Sequence, residues 1–256
     1  MRIRTGRGTE VTEPGRASVA SLAGRTAVVT GASRGLGYAI AAALTAAGMR
    51  TWMLARDPAR LHEAARALGG NAFTLPCDVS DADAVTRASA GIMEALGGAP
   101  DVLVNNAGLF PLMTIEGTTP LVFADTMQVN VMAPFLFTRA FVGGMRARGT
   151  GHVVTIGSVA DRHTFPENGA YAASKHAQRA FHEVLRQELR GSGVRATLVS
   201  PSPTDTGIWD PVDPDNRDGF PPRSLMLRAE DVADAVLYAV TRPVHVNVDE
   251  LRVSYS

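Results

Sequence analysis

From Gly24 onward the apolar positions alternate between two patterns. Short runs rich in β-branched residues read as strands: Thr26–Thr30, Thr51–Ala55, Ala72–Leu75, Val102–Asn105, His152–Ile156, Arg195–Val199 and Asn247–Val253. Between them lie longer Ala/Leu-rich stretches with helical spacing: Leu36–Ala47, Pro58–Leu68, Ala82–Leu96, Pro120–Arg148, Tyr171–Arg190 and Ala229–Thr241. Strand and helix in strict alternation make βαβ units, whose crossovers are right-handed. The pattern therefore predicts an α/β class, doubly wound: a seven-stranded parallel sheet with helices on both faces. In such a sheet ligands bind beyond the C-terminal ends of the strands, so the residues just after each strand bear on function.

Two segments depart from this rhythm. Met1–Ala23 holds Arg2, Arg4, Arg7 and Arg16 against Glu10 and Glu13, with no apolar run. It reads as a flexible N-terminal tail before a single domain of residues 24–256; a transit peptide is the alternative, which the two acidic residues disfavour. Pro201–Arg228 is rich in Pro and Asp and long for a structureless connection, so it reads as a substrate loop that lids the site, the alternative being a passive surface loop.

Composition narrows the classes further. The 256 residues suit one α/β domain, and 45% hydrophobic with 20% charged residues is globular. Lys plus Arg and Asp plus Glu both number 25, so no basic field attracts phosphate backbones or acidic head groups, and no nucleic-acid partner is expected. The longest uncharged apolar stretch, Gly35–Met49, is shorter than the roughly 20 residues of a membrane span, and no membrane association is expected. Cys77 is the single cysteine, which excludes an internal disulfide and fits a reducing, cytoplasmic setting. The histidines lack metal-ligand spacing, so no metal is expected.

The first strand runs into Thr30-Gly31-Ala32-Ser33-Arg34-Gly35-Leu36-Gly37 and then a helix. Glycines permit a tight turn and close approach of the main chain, and a helix N-terminus offers free N–H groups to a pyrophosphate. A dinucleotide is the natural occupant, although the G-x3-G-x-G spacing also suits a bare strand-to-helix turn. An acid that would bind an adenosine ribose is expected at the end of the second strand, which here reads Leu54-Ala55-Arg56. Without an acid at Ala55, Arg56 and Arg34 could clamp a 2′-phosphate, favouring NADP(H) over NAD(H). Asp57 is either a ribose ligand or the cap of the helix at Pro58. After the third strand, Asp78 and Val79 either receive an adenine or support the turn before Ser80, which with Asp83 resembles a capping box. Asn105-Asn106-Ala107-Gly108 ends the fourth strand as a turn that needs no cofactor to explain it.

Tyr171 and Lys175 stand four apart in a helical stretch, on one face. Among 25 basic residues Lys175 is the only lysine. Placed at random, one lysine would follow one of the four tyrosines by four residues about 4 times in 255. A compact ammonium can touch a phenolate and ribose hydroxyls together, and it is expected to lower the Tyr171 pKa toward a range useful for acid–base work.

With these residues in order, the sequence resembles the short-chain dehydrogenase/reductase family over essentially all of Gly24 to Val253. The motifs are the glycine turn Thr30–Gly37, Asp78-Val79, Asn105–Gly108, Asn130, Ser158, Tyr171-x-x-x-Lys175 and a Pro201 segment ending at Thr206. The resemblance implies a Rossmann fold and an oxidoreductase moving a hydride between a nicotinamide and a carbonyl or secondary alcohol, which Arg34 and Arg56 make NADP(H)-dependent in expectation. It implies that Tyr171 is the general acid/base, Ser158 holds the carbonyl oxygen, Lys175 binds the ribose, and Asn130 supports a water leading to Lys175. It places the cofactor on Gly31, Ser33, Arg34, Gly35, Leu36, Gly37, Arg56, Asp78, Val79, Asn106, Ala107, Gly108, Tyr171, Lys175, Pro201, Thr204 and Thr206. Ser202 departs from the family's usual glycine after the proline. A small-molecule carbonyl or alcohol substrate and a homodimer or homotetramer are expected. An NAD-dependent alcohol dehydrogenase and a non-catalytic nucleotide sensor are the alternatives.

Other residues leave choices open. Pro134 has no N–H for the carbonyl of Asn130, so either a water satisfies that carbonyl or the proline simply kinks a long helix. Phe135, Phe137 and Phe141 suit helix packing or a subunit face. Leu109, Phe110, Met113, Phe165, Ile208 and Trp209 are candidates for an apolar substrate pocket. Arg162 and His163 could meet an anionic substrate or be solvated loop residues.

Overall fold

The computed structural model of the chain describes residues 22–256. Its strands are β1 (Thr26–Thr30), β2 (Arg50–Ala55), β3 (Ala72–Pro76), β4 (Val102–Asn105), β5 (Gly151–Ile156), β6 (Val194–Pro201), β7 (Thr204–Asp205), β8 (Leu227–Arg228) and β9 (Glu250–Val253). Its α-helices are α1 (Gly35–Ala46), α2 (Pro58–Leu68), α3 (Ala82–Leu96), α4 (Pro120–Met127), α5 (Ala133–Arg148), α6 (Gly169–Glu188) and α7 (Ala229–Val240). Seven strands form one all-parallel sheet in the order β3-β2-β1-β4-β5-β6-β9, and β7 pairs with β8 separately. The doubly wound sheet expected from the alternation is the observed one. The order reverses between β1 and β4, which opens a crevice at their C-terminal ends.

Successive residues of the central strands feed opposite layers, as the two-residue strand period requires. Val29, Val104 and Val154 pack with Ile40, Leu44 and Val236 from α1 and α7, whereas Val28, Leu103 and Val153 pack with Ile92, Phe137 and Phe141 from α3 and α5. Strands buried on both faces read as continuous apolar runs, which is why β1, β4 and β5 were legible. Charged and polar exceptions are tied down. Arg195 on β6 is buried and donates to the carbonyls of Ala239, Val240 and Arg242 at the end of α7. His182 on α6 is buried with Nδ1 3.0 Å from Thr155 Oγ1, and burial pushes its imidazole down to about 4.

Several boundaries differ from the sequence reading. Residues 1–21 of the expected tail lie outside the described residues, but Leu22, also assigned to it, is fully buried in the α1/α7 layer. The single helix expected over Pro120–Arg148 is interrupted by a π turn, Gln128–Met132, in which Ala133 N donates five residues back to Gln128 O. Pro134 at the start of α5 explains the interruption, because its ring and missing N–H conflict with an α-helical bond to Asn130. Taken through the π turn, these 29 residues are long and apolar enough for a membrane span by length and composition, which the sequence reading did not register. Phe137, Phe141 and Met145 nonetheless face the sheet core. The last strand starts at Glu250 rather than Asn247, whose side chain takes the place of backbone by bonding both Ala196 N and Ala196 O. Residues 201–228 are not structureless: β7 and β8 pin the two ends together, and 3-10 turns at Gly207–Trp209, Pro214–Asn216 and Arg223–Leu225 fill the excursion.

Candidate active site

The turn after β1 is shaped by two glycines for different reasons. Gly31 has φ +67°, the left-handed region where a side chain is strained. Gly37 sits inside α1 where a Cβ would collide with the Gly31 carbonyl and reach 2.5 Å from Asn106 Nδ2. The exit of β4 is clasped onto this turn. Thr30 Oγ1 accepts from Asn106 N and Ala107 N, both at 3.0 Å, and Asn106 Nδ2 donates to Thr30 O at 2.8 Å. The Arg34 side chain makes no capping bond, so the first N–H groups of α1 keep no side-chain partner, and Gly35, Leu36 and Gly37 line a large cavity. An uncapped helix N-terminus beside a turn closed to Cβ atoms fits a pyrophosphate.

Arg34, Arg56 and Arg60 line the same cavity, Arg60 having escaped the sequence reading. Asp57 is used as the cap of α2, accepting from Ala59 N and Arg60 N at 3.0 and 3.1 Å. Asp78 Oδ1 accepts from Ser80 N and Ser80 Oγ at 3.0 and 2.7 Å, and α3 is capped by Asp81 rather than by the expected Ser80 and Asp83 pair. Asp78 and Val79 still face the cavity.

Across the crevice, β5 ends at Ile156, and Ser158 caps the 3-10 turn Val159–Asp161 by accepting from Ala160 N at 3.1 Å. That bond uses the Ser158 oxygen and leaves its O–H free to donate. Helix α6 presents Tyr171 and Lys175, with Nζ 5.7 Å from the phenol ring centroid. Lys175 is 4% exposed and donates to Ile156 O at 2.8 Å and to Gln178 Oε1 at 2.9 Å. Burial pushes the ammonium down to about 8, opposed by the Asp161 charge. Burial pushes the Tyr171 phenol up to about 12, against the hydrogen-bonding pull of Ser158. Burial thus sets the net position of the phenol, and the Lys175 ammonium 5.7 Å from the ring centroid does not bring it below its ordinary value.

Asn130 does not line the cavity. It is fully buried behind it, where Oδ1 accepts from Leu109 N and Nδ2 donates to Leu109 O and Ser174 Oγ, all within 3.0 Å. Its side chain thus bolts the loop after β4 to α6. Asp161, also missed from the sequence, is buried and accepts from Ser200 Oγ at 2.6 Å. No local pattern distinguishes it from a loop aspartate.

The outer wall is aromatic. Phe110 meets the Tyr171 ring edge-on at 4.7 Å and Trp209 at 5.0 Å, and Trp209 meets Phe220 at 5.9 Å. Trp209, Val212 and Met226 form a small core inside residues 201–228, and Arg223 ties Asp205 and Asp210 together at 2.6 and 2.8 Å. Arg217 from this segment pairs with Glu167 on the loop before α6. Ser202 has no positive φ, so its backbone does not need the family's glycine. Of the apolar candidates, Leu109, Phe110, Phe165, Ile208 and Trp209 line the cavity; Met113 does not, and it pairs strand-like with the Glu167–Asn168 segment. His163 lines the cavity, whereas Arg162 is held by Glu250 and Asp161.

Every residue expected to hold the cofactor, together with Ser158, lines this one cavity of about 1280 Å³. That exceeds the usual small-ligand pocket and has room for a dinucleotide and a substrate.

A family model described as short chain dehydrogenase matches residues 25–217. The chain is 35% identical over 247 residues to farnesol dehydrogenase of Aedes aegypti, covering 90% of this chain and 96% of that one. It is 36% identical over 238 residues to glycine betaine reductase ATRR of Emericella nidulans, covering 91% of this chain but only 19% of that much longer protein. A crystal structure of a metagenomic short-chain oxidoreductase in complex with NADP superposes with a TM-score of 0.80 at 34% identity, covering 92% of this chain and 99% of that chain.

Proposed function

The chain belongs to the short-chain dehydrogenase/reductase family of oxidoreductases, and from that premise we propose that it is NADP(H)-dependent and reduces a carbonyl, or oxidises a secondary alcohol, with Tyr171 as general acid and base. The observation that carries the reading is the meeting of Ser158, Tyr171 and Lys175 with the glycine cradle in a single cavity. The uncapped start of α1 would hold the pyrophosphate, Arg34 and Arg56 the 2′-phosphate, and Lys175 the nicotinamide ribose. When bound, the nicotinamide supplies or accepts the hydride.

The protein's own part is positioning and proton transfer. Ser158, its oxygen already accepting from Ala160 N, turns its O–H to the substrate oxygen. The Tyr171 phenol, held protonated by burial, donates its proton to that oxygen as negative charge develops there. The Lys175 ammonium is near enough to stabilise the phenolate left behind. In the oxidative direction the phenolate takes the alcohol proton. Asn130 acts behind the site by fixing Leu109 and Ser174. Phe110, Trp209, Ile208 and Phe165 favour a carbonyl with apolar substituents, in keeping with a relative named for farnesol.

Asp57 lines the cavity, but its Oδ1 accepts from Ala59 N and Arg60 N as the cap of α2, which supports the 2′-phosphate reading over a ribose ligand there. Exposed Leu121, Phe123, Met132 and Phe135 on α4, the π turn and α5 support a self-associating face, read out by the mass of the particle in light scattering. The reaction is tested with NADPH deuterated at the transferring position and a panel of apolar aldehydes and ketones. The alcohol product gains one deuterium under this reading; absence of label with every carbonyl refutes it.

A further inference from the structure

Lys175 does not sit free beside Tyr171. The two side chains and Gln178 lie at i, i+4 and i+7 on the inner face of α6, with Tyr171 one turn before the lysine and Gln178 one turn after it. Gln178 is 1% exposed, and among the described residues the hydrogen bond its side chain makes is the one to Lys175 Nζ, at 2.9 Å. Burying an amide costs free energy that an apolar residue of the same size would not, so its presence there calls for a use. An ammonium has three N–H donors. Ile156 O and Gln178 Oε1 take two, which leaves one for the ribose and the phenol.

We propose that Gln178 is a positioning residue that anchors the Lys175 ammonium from the side away from Tyr171, keeping it charged and leaving a single N–H for the reaction. This rests on the hydride-transfer reading for its purpose but not for its geometry. Loss of an acceptor bonded to the charged form makes a buried ammonium give up its proton at lower pH. The titratable groups facing the ammonium are Tyr171 on α6 itself and Asp161 on the turn after β5, and neither is altered by a change at Gln178.

The test exploits the composition of the chain. Lysine labelled with carbon-13 at Cε gives one side-chain resonance in the full-length protein, because Lys175 is its only lysine. In Gln178→Leu the titration midpoint of that resonance falls by about one pH unit, the worth of one hydrogen bond to a charged group. In Gln178→Glu, where a carboxylate faces the ammonium, it rises. Turnover of an apolar ketone at pH 8, where a midpoint moved from about 8 to about 7 cuts the charged fraction about fivefold, falls by about that factor in Gln178→Leu and is largely retained in Gln178→Glu, while KM for NADPH changes less than kcat. Midpoints equal to wild type in both variants overturn the proposal; if Gln178→Leu does not fold, an unshifted Gln178→Glu overturns it alone. Shifted midpoints in a protein that reduces no carbonyl would refute the hydride-transfer reading and leave the anchor standing. Unshifted midpoints in an active reductase would do the reverse.

Discussion

Replacing Lys175 by arginine keeps the charge and changes only its shape and reach. The ammonium has two acceptors, Ile156 O at 2.8 Å and Gln178 Oε1 at 2.9 Å, in surroundings that leave the residue 4% exposed. A guanidinium brings five donors in a rigid planar fork. If the fork stays buried, donors remain without partners at about 1–3 kcal/mol each. If it swings toward water, the developing phenolate of Tyr171 loses its nearby cation. The first route costs stability in ground and transition state alike; the second costs about 3 kcal/mol at the transition state, or about 10²-fold in turnover at about 1.4 kcal/mol per decade. The pH profile separates shape from charge. Burial lowers the Lys175 pKa from 10.5 to about 8, so the charged form is present below that pH and wild-type reduction declines as pH rises through it. Arginine does not titrate there, so Lys175→Arg shows low turnover with no such decline. Steady-state rates of NADPH-dependent reduction from pH 6 to pH 10 read both. Near-normal turnover with the wild-type profile would mean that the single lysine is an accident of composition.

Three further outcomes follow from the same geometry. Wild type prefers NADPH to NADH by at least about tenfold, about 1.4 kcal/mol, and Ala55→Asp with Arg56→Ala reverses the preference; equal dissociation constants in wild type would remove the arginines from the account. The His182 imidazole is pushed from 6.5 down to about 4, so between those values the unfolded chain binds a proton that the folded one refuses, and stability is lost as pH falls through that window. His152, also buried and held well below its ordinary value, loses stability in the same window, so the His182 part is read as a difference: between pH 7 and pH 5 in urea unfolding His182→Gln loses about 2 kcal/mol less than wild type, and an identical loss in both would contradict the assignment. Glu167→Gln breaks the pair with Arg217 that ties residues 201–228 to the loop before α6. It raises KM for the carbonyl substrate several-fold and speeds proteolytic cleavage within residues 210–222, with kcat within about twofold; unchanged KM and cleavage would make the pair ornamental to the site.

The elements that built the fold from local signals were readable along the chain. Thr26–Thr30 and Val102–Asn105 are strands buried on both faces, and their apolar runs announce this without any partner being known. The glycine turn and the Tyr171–Lys175 pair were legible for the same reason: each is a short-range geometric requirement. What escaped depends on residues far apart in sequence. The last strand starts late, at Glu250, because the Asn247 side-chain amide pairs with Ala196. Asp161 looks like a loop acid until β6 brings Ser200 against it. Asn130 was read for its main-chain carbonyl or for a kink at Pro134; that its side-chain amide also holds Leu109, 21 residues away, is a long-range contact no local pattern shows. The order within residues 201–228 rests on Trp209 packing and on one arginine, Arg223, meeting Asp205 and Asp210, contacts that Pro and Asp content alone does not announce. The upward push of burial on the Tyr171 phenol was not legible, because spacing reports the neighbouring charge but not the depth of burial.

The central claim is that Tyr171 transfers the proton that accompanies hydride transfer in this cavity. The most direct measurement compares wild type with Tyr171→Phe, which removes only the hydroxyl, in single-turnover reduction of an apolar ketone by bound NADPH, with the NADPH dissociation constant determined for both. The account predicts wild-type consumption of NADPH and a loss of at least about 10² in the rate for Tyr171→Phe at a dissociation constant within a few-fold of wild type. A phenylalanine variant that turns over at the wild-type rate would contradict it.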